Sequence, residues 1–461
     1  MDHNQERIMK PAALKRESQT NCGTNNSLPV MRLSDITEDT VFSPTSFAQY
    51  PGSHCAFFGV AGMVPLIKNS YALLLGPAIC LYNAKLTINL RALTSDPRPD
   101  NLLLLSITQE DIIFGAHEKV KQAVIEVDRR YQPEVLFVVT TCTQEIIGED
   151  FDAAIAEIQP EVAAKLLVIH TDNFTCEDAA PGIEHTYLAL ADLMQAQPVE
   201  EKAVNLLGLR VPEGRNTELV HLLESKGIHI RNVIPSYSTP SEIALAPGVQ
   251  LNIVLEHYAL PLAEKMREDF GTEYIYCERP YALDSVETWY RQIAEVLQID
   301  LNQEIALLKQ KTLESVSRIQ DRFAGKTCAL GMQQGRSFDL ARLLVNLGMK
   351  PVLIFLSRLL ADDHKDIQDL LAAGINPLVV KRGNALLNEQ LLADLRPDYF
   401  IGFHDRKELA RLGIEERSLV FSQYQLGFAA TEQLLHQLYR PPNGSRILHY
   451  KEQMIKNAGG D

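Results

Sequence analysis

The chain has 461 residues, more than one hydrophobic core accommodates, so two to four domains are expected. A formal net charge of −15 argues against a nucleic-acid binder or a membrane-surface protein, and 46% hydrophobic with 22% charged residues is the composition of a soluble globular protein. Seven cysteines, an odd number spread over a long chain, do not make a secreted disulfide framework and read as cytosolic thiols or metal ligands. No apolar run is long enough to span a membrane, and the polar N-terminus has no signal-peptide core, so a cytoplasmic location is expected.

Residues 1–45 are polar and weakly patterned and read as an arm over a partner or as disorder. Cys22 lies there among turn formers and reads as a surface thiol. Residues 46–200 alternate strand and helix. Strands are expected at Tyr71–Leu75, Leu102–Ile107, Val135–Val139 and Leu166–His170. Between them, Gly115–Tyr131 has helical spacing, with Val120, Val124 and Val127 on one face. Residues 201–324 repeat the pattern. Strands begin at Val204, Ile228, Leu251 and Glu273, and a long helix, Asn302–Ala324, leads onward. Residues 325–440 form a third array, with strands at Thr327–Leu330, Pro351–Phe355, Pro377–Val380 and Tyr399–Ile401. Arg440-Pro441-Pro442-Asn443-Gly444 ends it, and 441–461 are a polar tail. The expected fold is α/β, with three Rossmann-like αβα domains, each on a mostly parallel sheet.

Three cysteines draw attention. Cys142 follows the apolar run Val135–Val139 in Thr140-Thr141-Cys142-Thr143-Gln144-Glu145. Cys80 ends Leu75-Gly76-Pro77-Ala78-Ile79-Cys80, and Cys55 opens Cys55-Ala56-Phe57-Phe58-Gly59-Val60-Ala61-Gly62. In open α/β sheets, ligands bind beyond the carboxyl ends of the strands, and a strand-to-turn setting puts backbone N–H groups near sulfur. The spacing is not that of a compact zinc site, and any one of these cysteines also reads as a buried small hydrophobe. Gly331–Arg336 lacks both the GxGxxG and the P-loop pattern and reads as a tight strand-to-helix turn. Cys176, Cys277 and Cys328 read as core residues, with Cys277 keeping a ligand alternative. His54 and His257 read as hydrogen-bonded residues or, for His257, as a substrate or cofactor contact.

CAFFGVAG, GPAIC, ITQEDIIFGAHEKV, TTCTQEIIGED and HTDNF, in that order, resemble consecutive motifs of the nitrogenase component 1 superfamily. The resemblance runs from about Cys55 to Leu435 and implies that Cys55, Cys80 and Cys142 ligate an iron–sulfur cluster. That cluster would be either an [8Fe-7S] P-cluster type or a [4Fe-4S] cluster, shared with a paralogous partner subunit. It also implies an αβ pair doubling to a heterotetramer, and an ATP-dependent [4Fe-4S] reductase protein that delivers electrons. Nucleic acid and membrane are not among the expected partners. The departures point away from a catalytic alpha subunit. Glu256, with His257 next, stands where that subunit has a cofactor-ligating cysteine, and Val420–Gly427 matches no cofactor-ligating histidine. TTC…IIGED and HTDNF resemble beta-type subunits, although Asn173 replaces the serine that can bind an oxidised P-cluster.

The resulting expectation is a beta-type oxidoreductase subunit relaying low-potential electrons through its cluster, with no catalytic residue assigned. Three alternatives stand beside it: a metallocofactor-assembly scaffold subunit, a tetrapyrrole reductase subunit of the protochlorophyllide type, and a metal-free α/β binding protein.

Overall fold

The structure is a computed structural model that describes residues 30–37, 39–40, 55–91, 100–171, 178–331, 336–356, 358–381, 385–402, 404–417 and 425–439. His54, Cys22, Asn173, Cys176, most of the turn after Gly331 and the stretch 418–424 lie outside the described residues. Two compact units emerge, one built on Ser46–Arg279 with Val296–Ile299, the other on Asn26–Thr45, Pro280–Glu295 and Asp300–Asp461. The first strand, β1 (Val30–Arg32), belongs to the second unit.

The first unit holds two four-stranded parallel sheets. Strands β2 (Ser70–Gly76), β3 (Leu102–Ser106), β4 (Val135–Val139) and β5 (Lys165–Ile169) lie in the order β3-β2-β4-β5. The central strands β2 and β4 are apolar and buried because both faces are covered, whereas the edge strands β3 and β5 are partly exposed. Ala72, Leu74, Phe137 and Val139 enter one core, and Leu73, Leu75, Leu136 and Val138 enter another. The period of two along each strand sorts them. Helices α1 (Ala56–Met63), α2 (Ala78–Arg91), α3 (Gln109–Phe114), α4 (His117–Tyr131), α5 (Cys142–Ile147), α6 (Phe151–Ile158) and α7 (Ala180–Ala191) connect and cover the sheet. The helix predicted over 115–131 is α4, and Val120, Val124 and Val127 are its buried face. The second sheet joins β6 (Glu200–Leu209), β7 (His229–Pro235), β8 (Val249–Val254) and β9 (Tyr274–Tyr276) in the order β7-β6-β8-β9.

The second unit holds one six-stranded sheet. Its strands β10 (Thr327–Leu330), β11 (Lys350–Leu356), β12 (Leu378–Lys381), β13 (Tyr399–Ile401) and β14 (Glu415–Arg417) are parallel. The order is β1-β12-β11-β10-β13-β14, and β1 joins the edge antiparallel to β12. Part of the expected N-terminal arm is therefore a strand. Three residues carry no periodicity, and the pairing edge that holds them lies almost 350 positions downstream, so no local signal marks them. A buried charge cluster also belongs to this unit. Arg342 lies 3.1 Å from Asp366 and 3.4 Å from Asp339, and Arg336 lies 2.7 Å from Asp366. Burial first, then the Asp339 charge, pushes the Asp366 carboxyl up to about 6 despite both guanidinium groups.

Helices α1 and α7 pack with almost no separation. A Cβ on Gly182 would overlap the carbonyl oxygen of Ala56, and one on Gly59 would overlap that of Ala179. Ala56 directly follows Cys55, so this contact sets where Cys55 sits. Gly182→Ala should destabilise the chain by about 1–3 kcal/mol, the usual range for overpacking, read as a lower midpoint in urea unfolding. An unchanged midpoint would show that α7 yields without resistance.

Candidate functional site

The parallel register pairs Leu74 with Val139, so β2 and β4 end at the same edge of the first sheet. From there β2 turns at Pro77 into α2, and β4 turns at Thr140-Thr141 into α5. The two turns touch. A Cβ on Gly76 would lie 2.5 Å from Thr141 Oγ1, a separation that only glycine permits, and Thr141 Oγ1 donates to Leu75 O at 3.0 Å.

Each candidate cysteine stands at the start of a helix. Cys142 is the first residue of α5, Cys80 lies in the first turn of α2, and Cys55 is the N-cap of α1. Positive helix ends and unpaired N–H groups favour thiolate sulfur. All three are half-buried. Burial and then the Cys142 charge push the Cys80 thiol pKa up, so these two sulfurs share one environment. Cys55 and Cys80 pack against the same apolar core, and α1 lies beside α2.

The sequence set all three where a strand becomes a turn; in the structure Cys80 and Cys142 lie in the first turn of the helix that follows such a strand. Cys55 instead precedes a helix. Among the described residues, no three His, Cys, Asp or Glu side chains close on a single ion. A polynuclear iron–sulfur group needs no such convergence, because its own sulfide bridges separate the protein ligands. Three thiols at helix starts fit that group.

Three features of this edge escaped the sequence reading. First, Thr141 and Gln144 form a reciprocal cap on α5, legible as Thr-x-x-Gln. Second, His170 Nδ1 lies 2.8 Å from Glu145, His170 Nε2 lies 2.8 Å from Asp152, and the Thr140 hydroxyl bonds Glu145. Partial burial works against the imidazolium, but the two carboxylates outweigh it and hold the His170 pKa above 6.5. Third, large apolar side chains stand in solvent on the helices that leave this edge. They are Ile79, Tyr82 and Leu86 on α2, Ile113 and Phe114 on α3, and Ile146 on α5, with Phe114 85% exposed.

The second sheet closes its corresponding edge with charge pairs. Glu256 is 2% exposed and accepts from Arg210 Nε at 2.7 Å and from Tyr187 OH at 3.3 Å. Gly208, at φ +99°, makes room for it, since a Cβ there would lie 2.8 Å from Glu256 N. Glu256 is thus held as the counter-charge of an arginine. His257, the next residue, is also buried, past the end of β8 at Val254. His257 Nδ1 lies 3.2 Å from Glu278, which Tyr276 also bonds. Cys277 and Cys328 are buried, the latter with its thiol pKa pushed up by burial.

A match to the family described as nitrogenase component 1 type oxidoreductase spans residues 55–440. The chain belongs to this family. Among its relatives, the nitrogenase iron-molybdenum cofactor biosynthesis protein NifE of Methanococcus maripaludis is 24% identical, with 95% of this chain and 92% of the relative covered. NifE of Clostridium pasteurianum is 26% identical over 81% of this chain and 80% of the relative. The nitrogenase molybdenum-iron protein alpha chain of Methanothermobacter thermautotrophicus is 24% identical over 78% and 81%. The solved structure "Nitrogenase Cp1 at pH 5" shares the fold, with a TM-score of 0.72 at 20% identity over 92% of this chain and 94% of that one. The component 1 fold accounts for the several parallel sheets. Among the described residues, no helix is long and apolar enough to cross a membrane.

The His170 bridge gives this component 1 chain a pH dependence of known sign. A histidine pKa raised on folding adds stability that is complete below about pH 6.5 and is lost as pH rises through the folded value. Thermal unfolding between about pH 5 and 9 should show this loss in the wild type and a flatter profile in His170→Gln. Parallel profiles for the two proteins would exclude the bridge as a stabilising contact.

Proposed function

We propose that this chain is a nitrogenase-like component 1 subunit that holds an iron–sulfur cluster with Cys55, Cys80 and Cys142 and shares it with a paralogous subunit. The observation that carries this reading is the pairing of half-buried thiols with an exposed apolar rim on the same elements. Three thiolates leave a cluster short of ligands, and exposed Ile79, Tyr82, Leu86 and Ile146 want covering. One partner chain meets both needs. When bound, the cluster supplies one-electron transfer at low potential. The chain's own residues fix the sulfurs at helix starts, and the partner's apolar face excludes water from them.

The apolar tip of α3 supports a second contact, with an ATP-dependent [4Fe-4S] reductase. Phe114 is followed by Gly115 at φ +90°, which ends the helix and leaves the ring in solvent. A large exposed aromatic suits a transient docking anchor. Phe114→Ser should retain iron but slow reduction of the cluster at least tenfold with the reductase as donor, while dithionite reduces it normally. Equal rates from the reductase would remove Phe114 from the docking surface.

Within the family, an assembly scaffold is favoured over a catalytic alpha subunit. Relatives carry the cofactor-biosynthesis name, and Glu256 is committed to Arg210 and so unavailable to a metal. A hard carboxylate is in any case a poor ligand for a sulfide-rich cofactor. The second reading is a beta-type reductase subunit, favoured by TTCTQEIIGED. The two separate in one experiment, since a scaffold passes a metallocofactor to an acceptor apoprotein and a reductase subunit turns over substrate.

The cluster itself is tested by anaerobic purification of the tagged chain with its partner, followed by iron assay and electron paramagnetic resonance. Cys55→Ala, Cys80→Ala and Cys142→Ala should each lose most of the iron and the signal, while Cys277→Ala keeps both. Full iron in all three variants would end this assignment.

A further inference from the structure

In the second unit, among the described residues, four carboxylates crowd two guanidinium groups. Arg342 Nη1 lies 3.4 Å from Asp339 Oδ1 and 3.1 Å from Asp366 Oδ1. Its Nη2 lies 3.0 Å from Asp369 and also bonds Asp284. Arg336 lies 2.7 Å from Asp366 Oδ2. Asp284 and Asp369 are half-exposed and line, with Arg342, a cavity of about 340 Å³. Asp339 and Asp366 are fully buried. Two buried carboxylates on one guanidinium nitrogen repel each other, so the second of them ionises only at a cost.

The pair sits at two helix starts. Strand β10 leads through Arg336 to the helix Ser337–Asn346, and its parallel neighbour β11 leads to the helix Asp363–Ala372. Asp339 and Asp366 lie in the first turns of these helices, at the carboxyl edge of the sheet, where open α/β sheets bind their ligands. Asp339 Oδ2 accepts from the backbone N–H of Tyr281 and, at 3.0 Å, from that of Ala282. Asp366 accepts from Arg336 on one oxygen and from Arg342 on the other. The less engaged carboxyl takes the proton of the pair, and burial, then the Asp339 charge, push Asp366 up from 3.8 to about 6. The other charges around it are Asp284 and Asp369 across Arg342, Asp362 near Arg336, and buried Asp363, which accepts from Leu360 N–H at 2.8 Å. Asp35, on the turn Leu33–Asp35 that packs on the same helix, is exposed.

We propose that Asp366 is a proton-operated clasp between the helices Ser337–Asn346 and Asp363–Ala372. Protonated, it relieves the repulsion with Asp339, and the two helix starts close on Arg336 and Arg342. Ionised, it is better solvated with the helices parted, so the open population grows. The sign follows from the raised carboxyl. Local stability supplied by its proton is complete below about pH 3.8 and is lost as pH rises through about 6. The clasp thus loosens the carboxyl edge of the third sheet toward neutral pH. It uses no residue of the cysteine edge and does not rest on the cluster reading.

The test is amide hydrogen exchange on the full chain, wild type and Asp366→Asn, at pH 5 and pH 7.5, with each rate corrected for its intrinsic pH dependence. Peptides covering the two helices report the local opening equilibrium, and those of β4 in the first unit serve as control. In the wild type the helix peptides should exchange about tenfold faster at the higher pH, the linkage expected of such a carboxyl. The β4 peptides should show no such rise. Asp366→Asn, which mimics the protonated group, should exchange at the slow rate at both pH values. Equal corrected rates in the wild type would overturn the proposal, whether or not the variant folds. So would a variant that keeps the tenfold rise, or a rise shared equally by β4.

Discussion

The candidate site depends on one close approach, Gly76 against Thr141 where β2 and β4 end together. Parallel pairing brings the two strand ends close, but close ends do not by themselves bring the following turns into contact. The missing side chain at Gly76 does, because it lets Thr141 lie against the β2 carbonyl and seats the start of α5 on the end of β2. Cys80 and Cys142 ride on the helices that follow, α2 and α5. The same logic recurs at Gly59 and Gly182, where absent side chains let α1 and α7 meet backbone to backbone and set the place of Cys55. The cysteines are thus placed by close contacts that only glycine permits.

The two sheets of the first unit use their carboxyl edges in opposite ways. The first leaves thiols half-buried and lines the helices around them with exposed isoleucine, tyrosine and phenylalanine. The second satisfies itself, with Glu256 paired to Arg210 and His257 to Glu278, all but sealed from solvent. Burial alone would neutralise such carboxylates. Here Glu278 is pulled the other way by His257 and by the Tyr276 hydroxyl, so its pKa stays below the ordinary value despite full burial. An edge that closes on its own charges has little affinity left for a soft metal. An edge that leaves thiols and apolar side chains half-covered is incomplete until something binds.

Membership of the component 1 family and the similarity to relatives named for cofactor biosynthesis fit this contrast. Under the proposed scaffold reading, the self-paired charges of the second sheet suit a guest that is held and then released.

Much was legible in the chain alone. Unbroken apolar runs such as Val135–Val139 marked buried parallel strands, and the valine spacing of 120–127 marked the inner face of α4, because side-chain burial has a fixed period in each kind of element. The order of strands and helices therefore announced the α/β class, and the motifs around Cys55, Cys80 and Cys142 announced the family. What sequence could not supply were contacts between distant segments. Val30–Arg32 became a strand only because β12 offers an edge. Glu256 became a counter-ion only because Arg210 and Tyr187 arrive from other elements. His257 became a buried partner of Glu278 only because the chain after β9 arrives beside it. Local periodicity is written residue by residue, whereas burial and pairing depend on which segments fold against each other, and that is decided only in three dimensions.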